Sequence, residues 1–155
     1  MTKPELVYTI IIESTPEKVW AALADGELTK LYWGRHRNVS SFQPGSDWSH
    51  VDYDDPAKVD VVGKVIEASP PSRLVLTWQS AHPAFREEGE SRVTFEITPF
   101  FGAVRLTITH VELGPRAFEG VKMGWPVILS SLKTLLETGK PLAMTTRRFE
   151  GPPPK

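Results

Sequence analysis

The segment that reads as a helix from about Ala117 to Glu137 constrains the rest of this chain more than any other. Trp125, Leu129, Leu132 and Leu136 recur at steps of four, three and four, with Val121, Ile128 and Leu135 beside them. That spacing is the stripe of a helix burying one wide face. Gly139 suits a left-handed C-cap, and Lys140 and Pro141 end the helix. About 21 residues rising 1.5 Å each span roughly 31 Å. A ten-residue strand is about 33 Å long, so such a helix can lie along a whole sheet.

The remaining chain supplies that sheet. Leu6, Tyr8, Ile10 and Ile12 alternate with Val7, Thr9 and Ile11, so both faces of a first strand are apolar. Ser14-Thr15-Pro16-Glu17 then starts a helix, with Thr15 as cap and Pro16 at the first helical position. Val19, Trp20 and Leu23 form its buried stripe, Asp25-Gly26 breaks it, and Glu27 to Trp33 reads as a second short helix. Gly34 to Arg37 reads as a polar exit. Strands follow at Val39–Phe42, Asp47–Tyr53, Val59–Ala68, Arg73–Ser80, Arg92–Thr98 and Ala103–Leu113, with a charged loop at Ala81–Gly89. Adjacent strands joined by short turns predict an antiparallel sheet with the helices on one face. The fold class is therefore α+β: a curved sheet of six or seven strands wrapped around the long C-terminal helix, two short helices following the first strand. One domain is expected over residues 1–141, and residues 142–155, ending in Pro152-Pro153-Pro154, are expected to be a mobile tail.

Composition removes several classes of function. The 155 residues carry a net charge of −1, with no basic field for nucleic acid or an anionic membrane. With no cysteine, disulfides, thiolate catalysis and thiolate metal sites are excluded. No signal peptide or membrane-spanning run is expected, which fits a cytoplasmic protein. A Gly-rich phosphate loop, a nucleophile elbow and a dinucleotide fingerprint are all missing. His50, Asp52, Asp54 and Asp55 lack the glycine and terminal glutamate of a calcium loop, so neither a metal nor a cofactor is expected.

A family resemblance rests on Ser14-Thr15-Pro16-Glu17-Lys18-Val19-Trp20, Leu31-Tyr32-Trp33-Gly34, Ser91-Arg92-Val93-Thr94-Phe95-Glu96, Arg105 to His110 and Gly124-Trp125-Pro126. Over about residues 5–140 the chain resembles the START-like, Bet v-like superfamily with its helix-grip fold. Within it, the chain is similar to small bacterial proteins related to the C-terminal domain of the heat-shock-protein-90 ATPase activator homologue. The resemblance implies a cavity between the concave sheet and the long helix. Relatives use that cavity to carry lipids, bind small aromatic molecules or cyclise polyketides, and one branch stimulates a chaperone ATPase.

The candidate ligand-binding residues are Trp33, Trp48, Trp78, His110, Trp125 and Leu129. Tryptophans bring area, rigidity and one donor each, which suits an apolar pocket. His110 shares a strand phase with Val104, Leu106 and Ile108, which turns it inward as a polar handle. Arg35, His36 and Arg37 read as solvated charges. Pro126 beside Gly124 marks a bend in the long helix. The expected function is non-catalytic binding of a small hydrophobic or aromatic molecule by a monomer or homodimer. The alternatives are a chaperone-ATPase co-regulator in stress response and a polyketide-cyclase-like or lyase enzyme using His110.

Overall fold

A computed structural model describes residues 3–149. Strand β1 (Leu6–Ile12) is followed by helices α1 (Pro16–Ala24) and α2 (Gly26–Tyr32). Strands β2 (His36–Ser40), β3 (Asp47–Asp52), β4 (Val59–Ser69) and β5 (Arg73–Ser80) come next. A short helix α3 (Pro83–Arg86) precedes β6 (Ser91–Phe100), β7 (Ala103–Val111) and the long helix α4 (Pro115–Thr138). The seven strands form one sheet in the order β1-β7-β6-β5-β4-β3-β2, every pair antiparallel. This is the α+β helix-grip arrangement expected from the sequence.

Local chemistry accounts for the helix boundaries. Thr15 Oγ1 accepts from the Lys18 amide at 3.3 Å, with Pro16 at the first helical position. Asp25 ends α1 and caps α2, its Oδ1 accepting from the Glu27 amide at 2.9 Å. Helix α4 ends at Gly139, whose φ of 84° is the left-handed conformation that favours glycine. Its 24 residues make it about 36 Å long, and its buried face of Trp125, Ile128, Leu129 and Leu132 packs into one core with Ile12, Val65, Leu74, Leu76, Val93, Phe95, Leu106 and Ile108. Two register shifts, at His50/Val51 and at Val65/Glu67, each give β4 an extra residue. Such bulges bend a strand and sharpen its twist, which helps the sheet curl around α4.

Strand and helix ends fall within about two residues of the expected ones in most elements, and three departures bear on the site. The polar exit is shorter, because β2 begins at His36 and pairs it with Asp52. The loop 81–89 contains α3. Helix α4 starts two residues earlier than Ala117, at Pro115, because Glu88 supplies a cap from outside the helix: its Oε1 accepts from the Arg116 amide at 2.6 Å and the Ala117 amide at 3.3 Å. Of the expected tail, residues 150–155 lie outside the described residues, and residues 142–149 are bonded to the rest of the fold. They include a 3₁₀ turn (Ala143–Thr146) in which Thr145 is fully buried.

Candidate functional site

The interior beneath α4 is an aromatic stack. Trp78 lies 6.4 Å from Trp33, 5.5 Å from Trp48, 5.6 Å from Trp125 and 5.4 Å from the His110 ring, centroid to centroid. Trp33 meets Trp125 edge-on at 5.4 Å. The structure therefore brings together five of the residues expected to bind a ligand, and Leu129 lies in the same core. Trp20, in contrast, packs at the edge of the core on α1.

His110 is fully buried, and its protonation state follows from its neighbours. Trp125 Nε1–H donates to Nδ1 at 3.2 Å. An indole nitrogen can only donate, so Nδ1 carries a lone pair and the proton sits on Nε2. That N–H donates to Ser91 Oγ at 2.8 Å, and Ser91 in turn donates to the Trp78 carbonyl at 3.2 Å. Burial lowers the His110 pKa to about 4, so the ring is neutral at pH 7. Both nitrogens are occupied by protein groups.

Trp48 is held by a different device. Its Nε1–H donates to the Thr77 carbonyl at 2.7 Å. The path crosses Gly63, where a Cβ would overlap both the Thr77 carbonyl and the indole nitrogen. Glycine is needed there for that close approach.

An opening of about 510 Å³ lies beside the stack, between the β4–β5 end of the sheet and the first turns of α4. Val59, Asp60, Val61, Trp78 and Ser80 form its floor, Ala81, His82 and Phe85 one side, and Ala117, Gly120 and Val121 the helix wall. The last three lie at i, i+3 and i+4, one face of the helix. Of the six residues expected to touch a ligand, only Trp78 is in this wall. The other five form the packing behind it. Periodicity correctly turned these residues inward, but large aromatic rings fill much of the space they face. Helix α3 forms the lip. It is latched to α4 by Glu88 and by Arg116 Nη1, which donates to the Ala84 carbonyl at 3.2 Å. A Cβ on Gly114 would fall on the Glu88 side chain, so glycine leaves room for the latch.

A polar array borders this opening. His36 stacks on His50 with centroids 4.7 Å apart and planes 11° from parallel. His36 Nδ1 faces the Gly34 carbonyl at 2.8 Å, and Nε2 faces Asp60 Oδ2 at 2.7 Å. Burial opposes charge on His36, but the hydrogen bonds to Asp60 and Gly34 outweigh it, and its pKa is raised. The same contact with His36 lowers the Asp60 pKa. His50 behaves oppositely. The Asn38 amide donates to the Leu23 carbonyl at 3.2 Å, so its Oδ1 is the acceptor for His50 Nδ1–H at 2.7 Å. Burial, reinforced by the neighbouring His36 charge, brings the His50 pKa down to about 3. By sequence alone His36 reads as a solvated charge and Asp60 does not stand out. The local signal is a carboxylate between Val59 and Val61 in the apolar first half of the strand.

The remaining polar candidates serve structure. Arg35 pairs with Asp54 through two contacts of 2.6 and 2.8 Å. Asp52 is buried and accepts from Arg148, whose hydrogen bond is the main reason its carboxyl is held well below the usual range. Ser131 bonds Thr145 at 2.7 Å and the Leu142 amide at 2.9 Å, tying residues 142–149 to α4. Pro126 lies within a helix assigned without a break from Pro115 to Thr138. No helix among the described residues is long and apolar enough to cross a membrane, and no group of three or more His, Asp or Glu among them is placed to hold a metal ion.

Comparison with known proteins places this geometry in context. The family described as "Activator of Hsp90 ATPase homolog 1-like protein" matches residues 13–137. No curated protein matches in sequence. Among solved structures, protein MLL2253 from Mesorhizobium loti is 30% identical, with a TM-score of 0.73 over 86% of this chain and 96% of that one. PFC0360w, an HSP90 activator from Plasmodium falciparum, is 20% identical, with a TM-score of 0.71 over 86% and 96%. The Aha1 dimer from Colwellia psychrerythraea is 23% identical, with a TM-score of 0.66 over 89% and 99%.

Proposed function

Because the chain belongs to the activator of Hsp90 ATPase homolog 1-like family, whose fold grips one long helix in a curved sheet, we propose that it binds a small apolar or aromatic molecule without transforming it. The carrying observation is the opening of about 510 Å³ beside Trp78, walled by Val59, Val61, Phe85, Ala117 and Val121. That volume is within the roughly 300–1,000 Å³ typical of small-molecule sites. The aromatic stack behind it gives a rigid floor that loses little entropy when a ligand docks. The test is titration of the purified protein with a panel of uncharged hydrophobic compounds, followed by tryptophan fluorescence. Saturable change is expected, and its absence across the panel would sink the reading.

Catalysis through His110 is less well supported. A base needs a free lone pair within reach of the proton it takes. The lone pair on Nδ1 is already taken by Trp125. His110→Gln should therefore affect stability before any turnover. A second reading, co-regulation of a chaperone ATPase, draws support from the family match and from the likeness to a Plasmodium HSP90 activator. Adding the protein to a purified chaperone tests it directly; an unchanged ATPase rate would count against it.

A further inference from the structure

We infer that the occupant of the opening beside Trp78 is an uncharged, flat aromatic molecule carrying one O–H or N–H donor, with the donor bound by Asp60. The inference rests on the binding role proposed above and adds the chemical class. The polar side-chain groups in the wall are the Asp60 carboxylate, the Ser80 hydroxyl, the His82 ring and the Trp78 indole N–H, and Asp60 is the one carboxylate among them. Ser80 Oγ already accepts from the His82 amide at 3.2 Å, and His82 Nδ1 accepts from the Ala84 amide at 3.2 Å.

Asp60 reaches this wall because of the β-bulge. Val59 pairs with Val51 and Val61 with His50, so Asp60 is the extra residue between them. A bulge re-aims its side chain, and the Asp60 carboxylate meets His36, whose ring stacks on buried His50. The two nitrogens of His36 each face an oxygen that can only accept, the Gly34 carbonyl and the Asp60 carboxylate. Satisfying both requires a proton on each nitrogen, which is the imidazolium form. The pair is therefore neutral overall. Asp60 Oδ2 is committed to His36, and Oδ1 has no hydrogen-bond partner among the described residues.

This arrangement discriminates by charge. An anionic ligand would meet the Asp60 carboxylate. A cationic one would meet a carboxylate whose charge the His36 imidazolium already balances, so it gains little net attraction. A neutral donor gains a charge-assisted hydrogen bond at Oδ1 and brings no charge to desolvate.

The experiment is calorimetric titration with four probes of one ring system: 2-naphthol, 2-methoxynaphthalene, 2-naphthoate and 2-naphthylmethylammonium. A hydrogen bond to the half-exposed Asp60 carboxylate makes 2-naphthol bind about 3- to 10-fold tighter than 2-methoxynaphthalene, with both ions weaker than 2-naphthol. In Asp60→Asn and Asp60→Leu the preference shrinks toward parity while 2-methoxynaphthalene still binds. Equal binding of 2-naphthol and its methyl ether, or tightest binding of either ion, overturns the assignment to Asp60 and leaves the apolar-binder reading intact. If none of the four probes binds, both fall.

Discussion

Gly120 offers the sharpest test of where a ligand sits. It lies in the interior of α4 and in the wall of the opening, and a Cβ built on it meets no atom within 4 Å. Gly120→Ala should therefore stabilise the fold, since alanine is favoured over glycine in a helix by about 0.8–1.0 kcal/mol. For a chain of this size that is a rise in Tm of about 2–4 °C. Gly120→Leu keeps nearly the same helix preference as alanine and sends three more heavy atoms into the space between Ala117, Val121 and Trp78. Burying two of those carbons adds about 1.5 kcal/mol. The variant should be more stable still and should lose at least about tenfold in affinity for 2-naphthol, a cost of about 1.4 kcal/mol. Gly124→Ala is the control: its Cβ position is also open, but the residue is outside the wall. It should gain stability and leave binding unchanged. Thermal unfolding followed by circular dichroism, with calorimetric titration of the same samples, measures both effects. A destabilised Gly120→Ala would mean that the space is not there. Undiminished binding by a stable Gly120→Leu would mean that the ligand sits elsewhere.

Three further outcomes follow from the polar contacts. The histidines should titrate apart in an NMR pH series, with His36 losing its charge only above the usual histidine range and His50 and His110 neutral at pH 7. Because the folded pKa of His36 is raised, its contribution to stability is complete below pH 6.5 and is lost as pH rises through the raised value. Those of His50 and His110 are lowered to about 3 and about 4, so stability should fall below pH 6.5 by about 1.4 kcal/mol per pH unit for each ring; a flat urea midpoint between pH 6.5 and 5 would contradict this. Trp125→Phe leaves His110 Nδ1 buried without a donor and should cost about 1–3 kcal/mol in urea unfolding. Gly63→Ala forces a methyl into the Trp48–Thr77 contact and should cost at least about 2 kcal/mol, with a changed near-ultraviolet signal from Trp48.

Much of this architecture can be read along the chain because its determinants are local. The stripe of α4 is a period, Thr15 and Asp25 are caps, and Gly139 is a stop, each set by residues within a few positions. The inward turn of Trp78 and His110 follows from strand alternation in the same way. The misses share a cause. Helix α4 begins early because Glu88, 28 residues before Arg116, caps it. Strand β2 starts at His36 because Asp52 lies across from it.

Residue type and period thus determined the element order, the gripped helix and the inward faces, since these depend on short-range geometry that any stretch of chain carries with it. Tertiary structure alone decided that large aromatic rings pack behind the opening, that Trp78 rather than its neighbours forms its wall, and that Asp60 and His36 border it as a pair. The place of Asp60 depends on a one-residue bulge between β3 and β4, and all three outcomes depend on contacts between residues far apart in the chain, such as His36 with Asp60 and Trp33 with Trp125. A single extra residue re-aims the side chain beside it, and no local pattern in the sequence records where that shift will fall.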